Sequence, residues 1–155
     1  MVRDGKAISI LVADDDSDDR MLLKEAFEEN RIVNVIDFVE DGEQLLAYLR
    51  REGPYAHLAG RPYPGLILLD LNMPKRDGRE ALADMKADAA LRRIPVVVLT
   101  TSKADEDIVR TYGLGVSSFI TKPVTFERLV EITRVLARYW IEIVELPPQG
   151  NCDAN

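Results

Sequence analysis

The pattern of the chain is a regular exchange between short apolar runs and longer amphipathic stretches. Five runs rich in branched apolar residues each end at polar or turn-forming residues, which predicts five strands. These strands are predicted at 7–13, 33–39, 65–70, 94–99 and 117–121. Helical spacing of apolar residues predicts helices from residue 17 onward and at 42–51, 79–88, 105–112 and 125–140. Strands that alternate with helices predict a parallel sheet covered on both faces, with right-handed crossovers.

Each predicted helix has one apolar face, and we expect that face to lie against the sheet. The inward residues are predicted to be Leu22, Leu23, Ala26, Phe27, Leu45, Leu46, Leu49, Leu82, Met85, Ala89, Leu129, Ile132, Val135 and Leu136. Asp16 or Ser17 is suited to cap the first long helix, and Thr125 the last, because short polar side chains accept hydrogen bonds from free helix N–H groups. The segment 53–64 holds three prolines and two glycines and is predicted to be a surface loop.

The run at 65–70 is the strand around which the fold is organised. Four consecutive branched apolar residues with no polar alternate are typical of the centre of a parallel sheet, where both faces are covered. The run ends in Asp70, and the chain then turns at Pro74 and at Asp77-Gly78. A carboxylate is therefore expected at the carboxyl end of a central strand.

We expect the strand order 2-1-3-4-5, which makes the α/β fold a three-layer, doubly wound (βα)5 arrangement with a five-stranded parallel sheet. In this order the first and third strands are neighbours, so the aspartates at 14–16 come beside Asp70. Thr100 and Lys122 end the two neighbouring strands. Ligands of open α/β sheets bind at this edge, where the strand order reverses, and the same edge is the predicted functional site.

The charge balance narrows the choice of partners. The 155 residues, about one domain, carry 20 basic and 27 acidic side chains for a net charge of −7. An acidic chain of this kind does not favour nucleic acid or an anionic membrane as its main partner. The single cysteine, Cys152, lies in a polar tail and forms no disulfide framework, and no apolar run is long enough to span a membrane. We therefore expect a soluble, cytoplasmic protein.

The predicted acidic edge has a specific chemical requirement. Several carboxylates in close contact repel one another unless a cation lies among them or some of their pKa values rise. Oxygen ligands without histidine or cysteine select a hard ion, which here means Mg²⁺, or Mn²⁺ in its place. Asp70 could then attack phosphorus as a carboxylate nucleophile, with Lys122 neutralising phosphoryl oxygens and the Thr100 hydroxyl donating a hydrogen bond. The product would be an aspartyl phosphate.

Four separated motifs at predicted strand ends are similar to those of a known protein family. They are Leu-Val-Ala-Asp-Asp at 11–15, Leu-Asp-Leu-Asn-Met-Pro at 69–74, Val-Leu-Thr at 98–100 and Thr-Lys-Pro at 121–123. Together and in this order they resemble the receiver domain of two-component response regulators, which implies a flavodoxin-like fold. We assign 6–140 to the receiver domain and 141–155 to a C-terminal extension that ends in a disordered tail.

The resemblance implies a role for each matching residue. Asp70 would be the phosphoacceptor and also a metal ligand. Asp15 would bind the metal directly and Asp14 through water, while Asn72 would offer its backbone carbonyl. Thr100 and Lys122 would contact the phosphoryl group.

The remaining implied roles concern conformational change. The Lys122-Pro123 peptide would be cis, and Thr100 with the aromatic Phe119 would form the conformational switch. Tyrosine is common at this aromatic position, and phenylalanine lacks the hydroxyl that holds an outward position.

The chain is more closely similar to single-domain regulators that pair with phytochrome-type histidine kinases. This implies a phosphorelay protein that takes phosphate from a sensor kinase and signals to a downstream protein by surface change. It would not be an enzyme with a separate substrate, although it would catalyse its own phosphorylation and slow dephosphorylation. The apolar stretch 139–146 suits either packing on the same molecule or a homodimer contact with the last helix.

Other interpretations are open at this stage. Asp14, Asp16, Asp18 and Glu25 match positions of a calcium-binding EF-hand loop, although Asp19 stands at its glycine position. A phosphohydrolase would use Asp70 as nucleophile but usually needs an acid where this chain has Asn72. A flavodoxin-like cofactor binder would need an anion-binding loop in place of the aspartates at 14–16. A degenerate receiver could act as an adaptor alone, although the intact Asp70 and Lys122 argue against it.

Overall fold

The computed structural model describes residues 9–32, 35–73, 78–100, 116, 118–121, 125–136 and 138. Its elements are β1 (Ile10–Ala13), α1 (Ser17–Glu29), β2 (Ile36–Val39), α2 (Gly42–Arg50), a 3-10 helix (Gly53–Leu58), β3 (Leu66–Asp70), α3 (Gly78–Ala87), β4 (Val96–Thr100), β5 (Ser118–Thr121) and α4 (Phe126–Leu136). The predicted helix at 105–112, residues Lys122 and Pro123, and the segment 139–155 lie outside the described residues. No helix within the described ranges has the length and apolar content to cross a membrane.

The five strands form one parallel sheet in the order β2-β1-β3-β4-β5, which confirms the predicted order. Alternate residues of each strand enter two separate apolar cores. In β3, Ile67 and Leu69 pack with α2 and α3, whereas Leu66 and Leu68 pack with α1 and α4. Because helices cover both faces, β3 has no solvent-facing position, which explains its unbroken apolar run.

The helix caps fall where short polar residues precede the helices. Asp16 caps α1 by accepting hydrogen bonds from the backbone N–H groups of Asp18 at 2.8 Å and Asp19 at 3.2 Å. Thr125 Oγ1 accepts from the backbone N–H of Arg128 at 3.1 Å at the start of α4. Both predicted caps are confirmed, and each satisfies N–H groups that have no partner within the helix.

The buried face of α4 differs from the prediction at one position. Val135 is 61% exposed, whereas Thr133 is fully buried beside Leu129. Thr133 donates to the Leu129 carbonyl at 2.9 Å and accepts from Asn30 Nδ2 of α1 at 2.7 Å. Because these hydrogen bonds satisfy its hydroxyl, Thr133 can lie on the inward face of α4. The spacing of apolar residues had predicted Val135 there instead.

The prediction for α3 also needs one correction. Ala89 was expected on its inward face, but α3 ends at Ala87 and Ala89 is exposed in the following turn. Leu82 and Met85 are buried as predicted. Ala89 fits the helical spacing of apolar residues, but this spacing continues beyond Ala87, where the helix ends.

The segment predicted as a surface loop before β3 begins with ordered structure. Residues Gly53–Leu58 form a 3-10 helix, and Leu58 is buried in the core under α2. The ring of Tyr55 meets Tyr48 of α2 edge-on, with 5.4 Å between ring centroids. The segment is therefore packed onto α2, although its prolines and glycines predicted only turns.

Arg51 fixes the second half of this segment. It follows α2 in the left-handed region, with φ of 60°, and its guanidinium lies over the rings of Tyr48 and Tyr63 at 5.6 and 5.3 Å. Nη2 donates to the carbonyls of Arg61 and Pro62 at 3.1 and 3.0 Å. One cation therefore links the end of α2 to the chain entering β3.

Tyr48→Phe is expected to lower the free energy of unfolding by about 1 kcal/mol near neutral pH. The variant should also lose less of its unfolding free energy than the unsubstituted chain when the pH is raised. Burial, and next the hydrogen bond from Tyr48 Oη to Asp37 Oδ2 at 2.6 Å, raise the pKa of this phenol above its usual value of 10.0. When the pKa of a group is raised by folding, the group stabilises the folded state fully at pH values below its pKa in the unfolded chain. That stabilisation is lost as the pH rises from there through the pKa of the folded state. Urea unfolding at about pH 8 and about pH 11 measures both effects.

Tyr63→Phe is the matched control, because it removes a phenol from the same surface and leaves the Asp37 hydrogen bond intact. This control should retain the alkaline loss of stability. If Tyr48→Phe and the unsubstituted chain lost the same amount of unfolding free energy in alkali, the assignment of this loss to Tyr48 would be contradicted.

Candidate functional site

The register of the sheet places two buried carboxylates side by side. Ala13 of β1 is opposite Leu69 of β3, so Asp14 and Asp70 are the next residues on neighbouring strands. The Asp14 N–H donates to the Val39 carbonyl at 3.0 Å, which extends the hydrogen bonding between β1 and β2 by one residue. Asp14 is fully buried and Asp70 is 4% exposed. Two charged side chains thus lie inside the carboxyl edge of the sheet, where such residues are rarely unpaired.

A third carboxylate completes the cluster. Oxygen atoms of Asp14, Asp15 and Asp70 all lie within 4.8 Å of one another. Asp15 is exposed, so the cluster opens to solvent on its side. The structure therefore brings together the acid groups that the sequence predicted to be neighbours. The EF-hand interpretation loses its basis, because the matching positions after Asp16 belong to helix α1.

Each buried carboxylate is oriented by the same local turn. Asp14 Oδ1 accepts from the backbone N–H of Asp16 at 2.9 Å, and Asp70 Oδ1 accepts from that of Asn72 at 2.9 Å. In both cases an aspartate bonds the backbone two residues further on, which is a common way for this side chain to fix a turn. The two carboxylates are held before any ligand arrives.

The chemistry of this donor set defines its ligand. Within the part of the chain that the structure describes, the cluster contains carboxylates and no histidine or cysteine. Three carboxylates this close strongly favour a cation, and oxygen donors alone select a hard divalent ion. Because Asp15 is exposed, water and a ligand bearing further oxygens can approach the cluster from its side. The residues present therefore fit Mg²⁺ or Mn²⁺.

The other predicted site residues divide into two groups. Thr100 ends β4 and is fully buried, one residue beyond the Leu99 that pairs with Asp70. Phe119 lies on β5 and packs, half-buried, against the core shared with α2 and α3. Asn72 is exposed directly after β3. Lys122 and Pro123 lie outside the described residues.

The sequence did not reveal that Gly78 contacts the backbone of Asp70 and Leu71. A Cβ atom on this residue would lie 2.5 Å from Leu71 Cα and 2.6 Å from the Asp70 carbonyl oxygen. The Gly78 N–H donates to the Leu71 carbonyl at 3.1 Å. The first turn of α3 therefore rests directly on the chain that leaves β3. The Asp77-Gly78 pair was a signal for a turn, but not for this close approach.

Gly78→Ala is expected to destabilise the protein by about 2 to 3 kcal/mol, because the methyl group would displace backbone that cannot yield easily. Helix propensity alone predicts the opposite sign, since alanine is favoured over glycine within helices by about 1 kcal/mol. Ala83→Gly, at an exposed position of the same helix, is the control and should destabilise by that smaller amount. A more stable Gly78→Ala variant in urea unfolding would rule out the close approach.

A doubly wound parallel sheet with an acidic cluster at the carboxyl ends of β1 and β3 and a buried threonine at the end of β4 defines a receiver-type domain. The family described as "Response regulator receiver domain" matches residues 10–134. The chain belongs to this family, and it is a response regulator, a signalling protein. The family resemblance and the fold predicted from the sequence are both confirmed.

Known relatives cover most of the chain. Response regulator Rcp1 of Synechocystis sp. is 39% identical over 138 residues, which are 89% of this chain and 92% of Rcp1. The crystal structure of the phosphorylated cyanobacterial phytochrome response regulator RcpA superposes with a TM-score of 0.80 at 41% identity, covering 91% of this chain and 99% of RcpA.

A metal-bound structure is among the similar ones. The Mn²⁺-bound form of Rcp1 superposes with a TM-score of 0.78 at 38% identity, covering 90% of this chain and 99% of that one. A relative of this fold therefore binds a divalent ion of the type that the carboxylate cluster fits. The sequence similarity to phytochrome response regulators is confirmed by these relatives.

Proposed function

We propose that Asp70 of this response regulator accepts a phosphoryl group from a histidine kinase, with Mg²⁺ or Mn²⁺ held by the acid cluster. The observation that carries the proposal is the burial of Asp70, with a carboxylate oxygen within 4.8 Å of those of Asp14 and Asp15 in the turn after β1. Asp70 accepts a hydrogen bond from the backbone N–H of Asn72, a local role that does not explain two further carboxylates beside it. Its acidic neighbours are explained by a cation that the reaction uses.

In the proposed reaction, an oxygen of the Asp70 carboxylate forms a bond to phosphorus as the P–N bond to the kinase imidazole breaks. The departing nitrogen takes a proton from solvent, and the product is an aspartyl phosphate. A bound divalent ion supplies the positive charge that makes three carboxylates and a phosphoryl group compatible in one pocket. Asp15 and Asp70 would bind it directly, Asp14 through water and Asn72 through its backbone carbonyl.

The remaining residues would act on the phosphoryl group and on the response to it. The buried hydroxyl of Thr100, at the neighbouring strand end, would donate to a phosphoryl oxygen, and Lys122 would neutralise another. Phe119 would move with Thr100 as the switch, and the peptide before Pro123 would be cis. The chain would thereby catalyse its own phosphorylation and slow dephosphorylation, without acting on a separate substrate.

The proposed kinase is of the phytochrome type, because RcpA is described as a phytochrome response regulator and matches over nearly its whole length. The test is phosphotransfer from a phytochrome-type kinase carrying labelled phosphate, compared with an unrelated histidine kinase. Transfer from the phytochrome-type kinase should be faster by about ten-fold or more. Equal rates would remove the pairing and leave the acceptor assignment intact.

The proposal extends to location and assembly. We place the protein in the cytoplasm, with a receiver domain over 6–140 and a C-terminal extension over 141–155. A homodimer through the last helix and this extension is supported by Val135, an apolar side chain 61% exposed on α4. A dilution series followed by light scattering tests it, and a strict monomer at high concentration would exclude the dimer.

A further inference from the structure

Arg20 joins helix α1 back to the end of β1. Its Nη1 donates to the backbone carbonyl of Asp14 at 2.7 Å, and its side chain is only 19% exposed. Its Nη2 lies 3.7 Å from Glu40 Oε2, in the turn that follows β2. The planar guanidinium therefore spans two strand ends, which a lysine ammonium on its flexible stem does less well.

This contact fixes a very short connection. Three residues, Asp14 to Asp16, separate β1 from α1, and Asp15 projects from their middle. The N–H of Asp14 is held by the Val39 carbonyl, and the Asp14 carboxylate is held by the N–H of Asp16. The hydrogen bond from Arg20 also holds the Asp14 carbonyl, so both the N–H and the C=O of Asp14 are fixed.

We propose that Arg20 is a positioning residue for metal binding, acting through the Asp14 backbone without contact to the ion. The inference rests on the proposed function, in which Asp14 and Asp15 hold a divalent cation. Because the Asp14 carbonyl begins the peptide unit that leads to Asp15, fixing it sets the direction in which the Asp15 carboxylate projects. Residues that orient metal ligands in this way typically contribute 10- to 100-fold to affinity.

Arg20 should also have an electrostatic effect on metal affinity, opposite in sign to its positioning effect. A guanidinium beside the cluster repels a divalent ion, so loss of its charge alone would strengthen metal binding. Loss of the positioning bond would weaken it. Glu40, 3.7 Å away, offsets part of the Arg20 charge, and we expect positioning to be the larger effect. The direction of the change in affinity therefore distinguishes the two effects.

The test is Mn²⁺ binding, measured by electron paramagnetic resonance on the full chain. Arg20→Ala should weaken binding about ten-fold, and Arg20→Lys, which keeps the charge, should recover only part of the loss. Arg128→Ala is the control, because Arg128 is exposed on α4 and paired with Glu131 at 3.2 Å. It removes the same charge from a helix that contributes no carboxylate to the cluster, and it should leave affinity within about two-fold.

A second readout separates positioning from loss of structure. With a small acyl phosphate as donor, the Mg²⁺ concentration for half-maximal labelling of Arg20→Ala should rise about ten-fold, with the rate at saturating Mg²⁺ within about two-fold. Unchanged or tighter Mn²⁺ binding in Arg20→Ala would overturn the inference. Should that variant fail to fold, wild-type affinity in Arg20→Lys would overturn it. Absence of Mn²⁺ binding by the unsubstituted chain would overturn the proposed function itself.

Discussion

Asp70→Asn is expected to abolish covalent phosphorylation by a small acyl phosphate in the presence of Mg²⁺. The amide has nearly the same shape as the carboxylate, and its oxygen can still accept the hydrogen bond from Asn72 N–H, which is 2.9 Å long in the wild type. What it loses is the anionic oxygen that forms the bond to phosphorus. The measurement is intact mass after incubation, in which only the unsubstituted chain should gain the mass of one phosphoryl group.

Asp41→Asn is the matched control for this experiment. Asp41 is also buried, at 5% exposed, and its Oδ1 accepts one backbone N–H, that of Gln44, at 2.8 Å. It lies at the start of α2, where asparagine is an equally good cap. This variant should be labelled fully. Equal labelling of Asp70→Asn would remove the acceptor assignment, and loss of labelling in a folded Asp41→Asn would show that the assay does not report on Asp70.

Asp15→Asn is expected to weaken Mg²⁺ binding by about 100-fold. Asp15 is the exposed member of the cluster, and its substitution removes one charge and one strong oxygen donor from a site that has three. Loss of groups that merely orient metal ligands already costs 10- to 100-fold, so loss of a direct ligand should reach the upper end of that range. Isothermal titration calorimetry with Mg²⁺ measures the dissociation constant directly.

Asp16→Asn separates the role of a ligand from the effect of charge. Asp16 is adjacent, also exposed, and carries the same charge, but its carboxylate caps α1, a role that asparagine fills equally well. Its removal should change the dissociation constant by less than about three-fold, the effect of one nearby charge in solvent. Similar losses in the two variants would mean that the acidic turn attracts the ion without specific ligands.

The fold and the cluster were accessible from the sequence because both follow from simple periodicities. An unbroken apolar run placed β3 at the centre of the sheet, and parallel strands bring their carboxyl ends to one edge. Asp14 and Asp70 are each the polar residue at the end of such a run. Their approach therefore required only the strand order, and 2-1-3-4-5 is one of the two common orders of doubly wound sheets.

The parts that the sequence did not predict depend on contacts between elements. Arg20 resembles any helical arginine until the short turn from β1 into α1 brings the Asp14 carbonyl within 2.7 Å of it. Thr133 is an inward residue because Asn30 of another helix satisfies its hydroxyl, whereas hydropathy alone favoured Val135. Gly78 is required by backbone from a different element. Thr133 depends on a partner 103 residues away, whereas Arg20 and Gly78 depend on backbone at the end of the preceding strand, and the hydropathy pattern encodes none of these contacts.

The 3-10 helix after α2 was missed for a related reason. Its prolines and glycines are typical of turns, and they do form turns, but Tyr48 and Arg51 give those turns a surface on which to pack. The energy that orders the segment comes from aromatic and cation contacts with α2. Composition predicted the breaks in regular structure correctly and could not predict what the broken segment would contact.

The central claim is that the acid groups after β1 and at the end of β3 would together hold one divalent ion. The most direct measurement is the anomalous difference density of a crystal of this protein grown with Mn²⁺. A peak is expected at about 2.1 Å from a carboxylate oxygen of Asp15 and from one of Asp70, the distance typical of small hard cations. A fully occupied peak elsewhere, with Asp15 and Asp70 in contact with no ion, would contradict the claim.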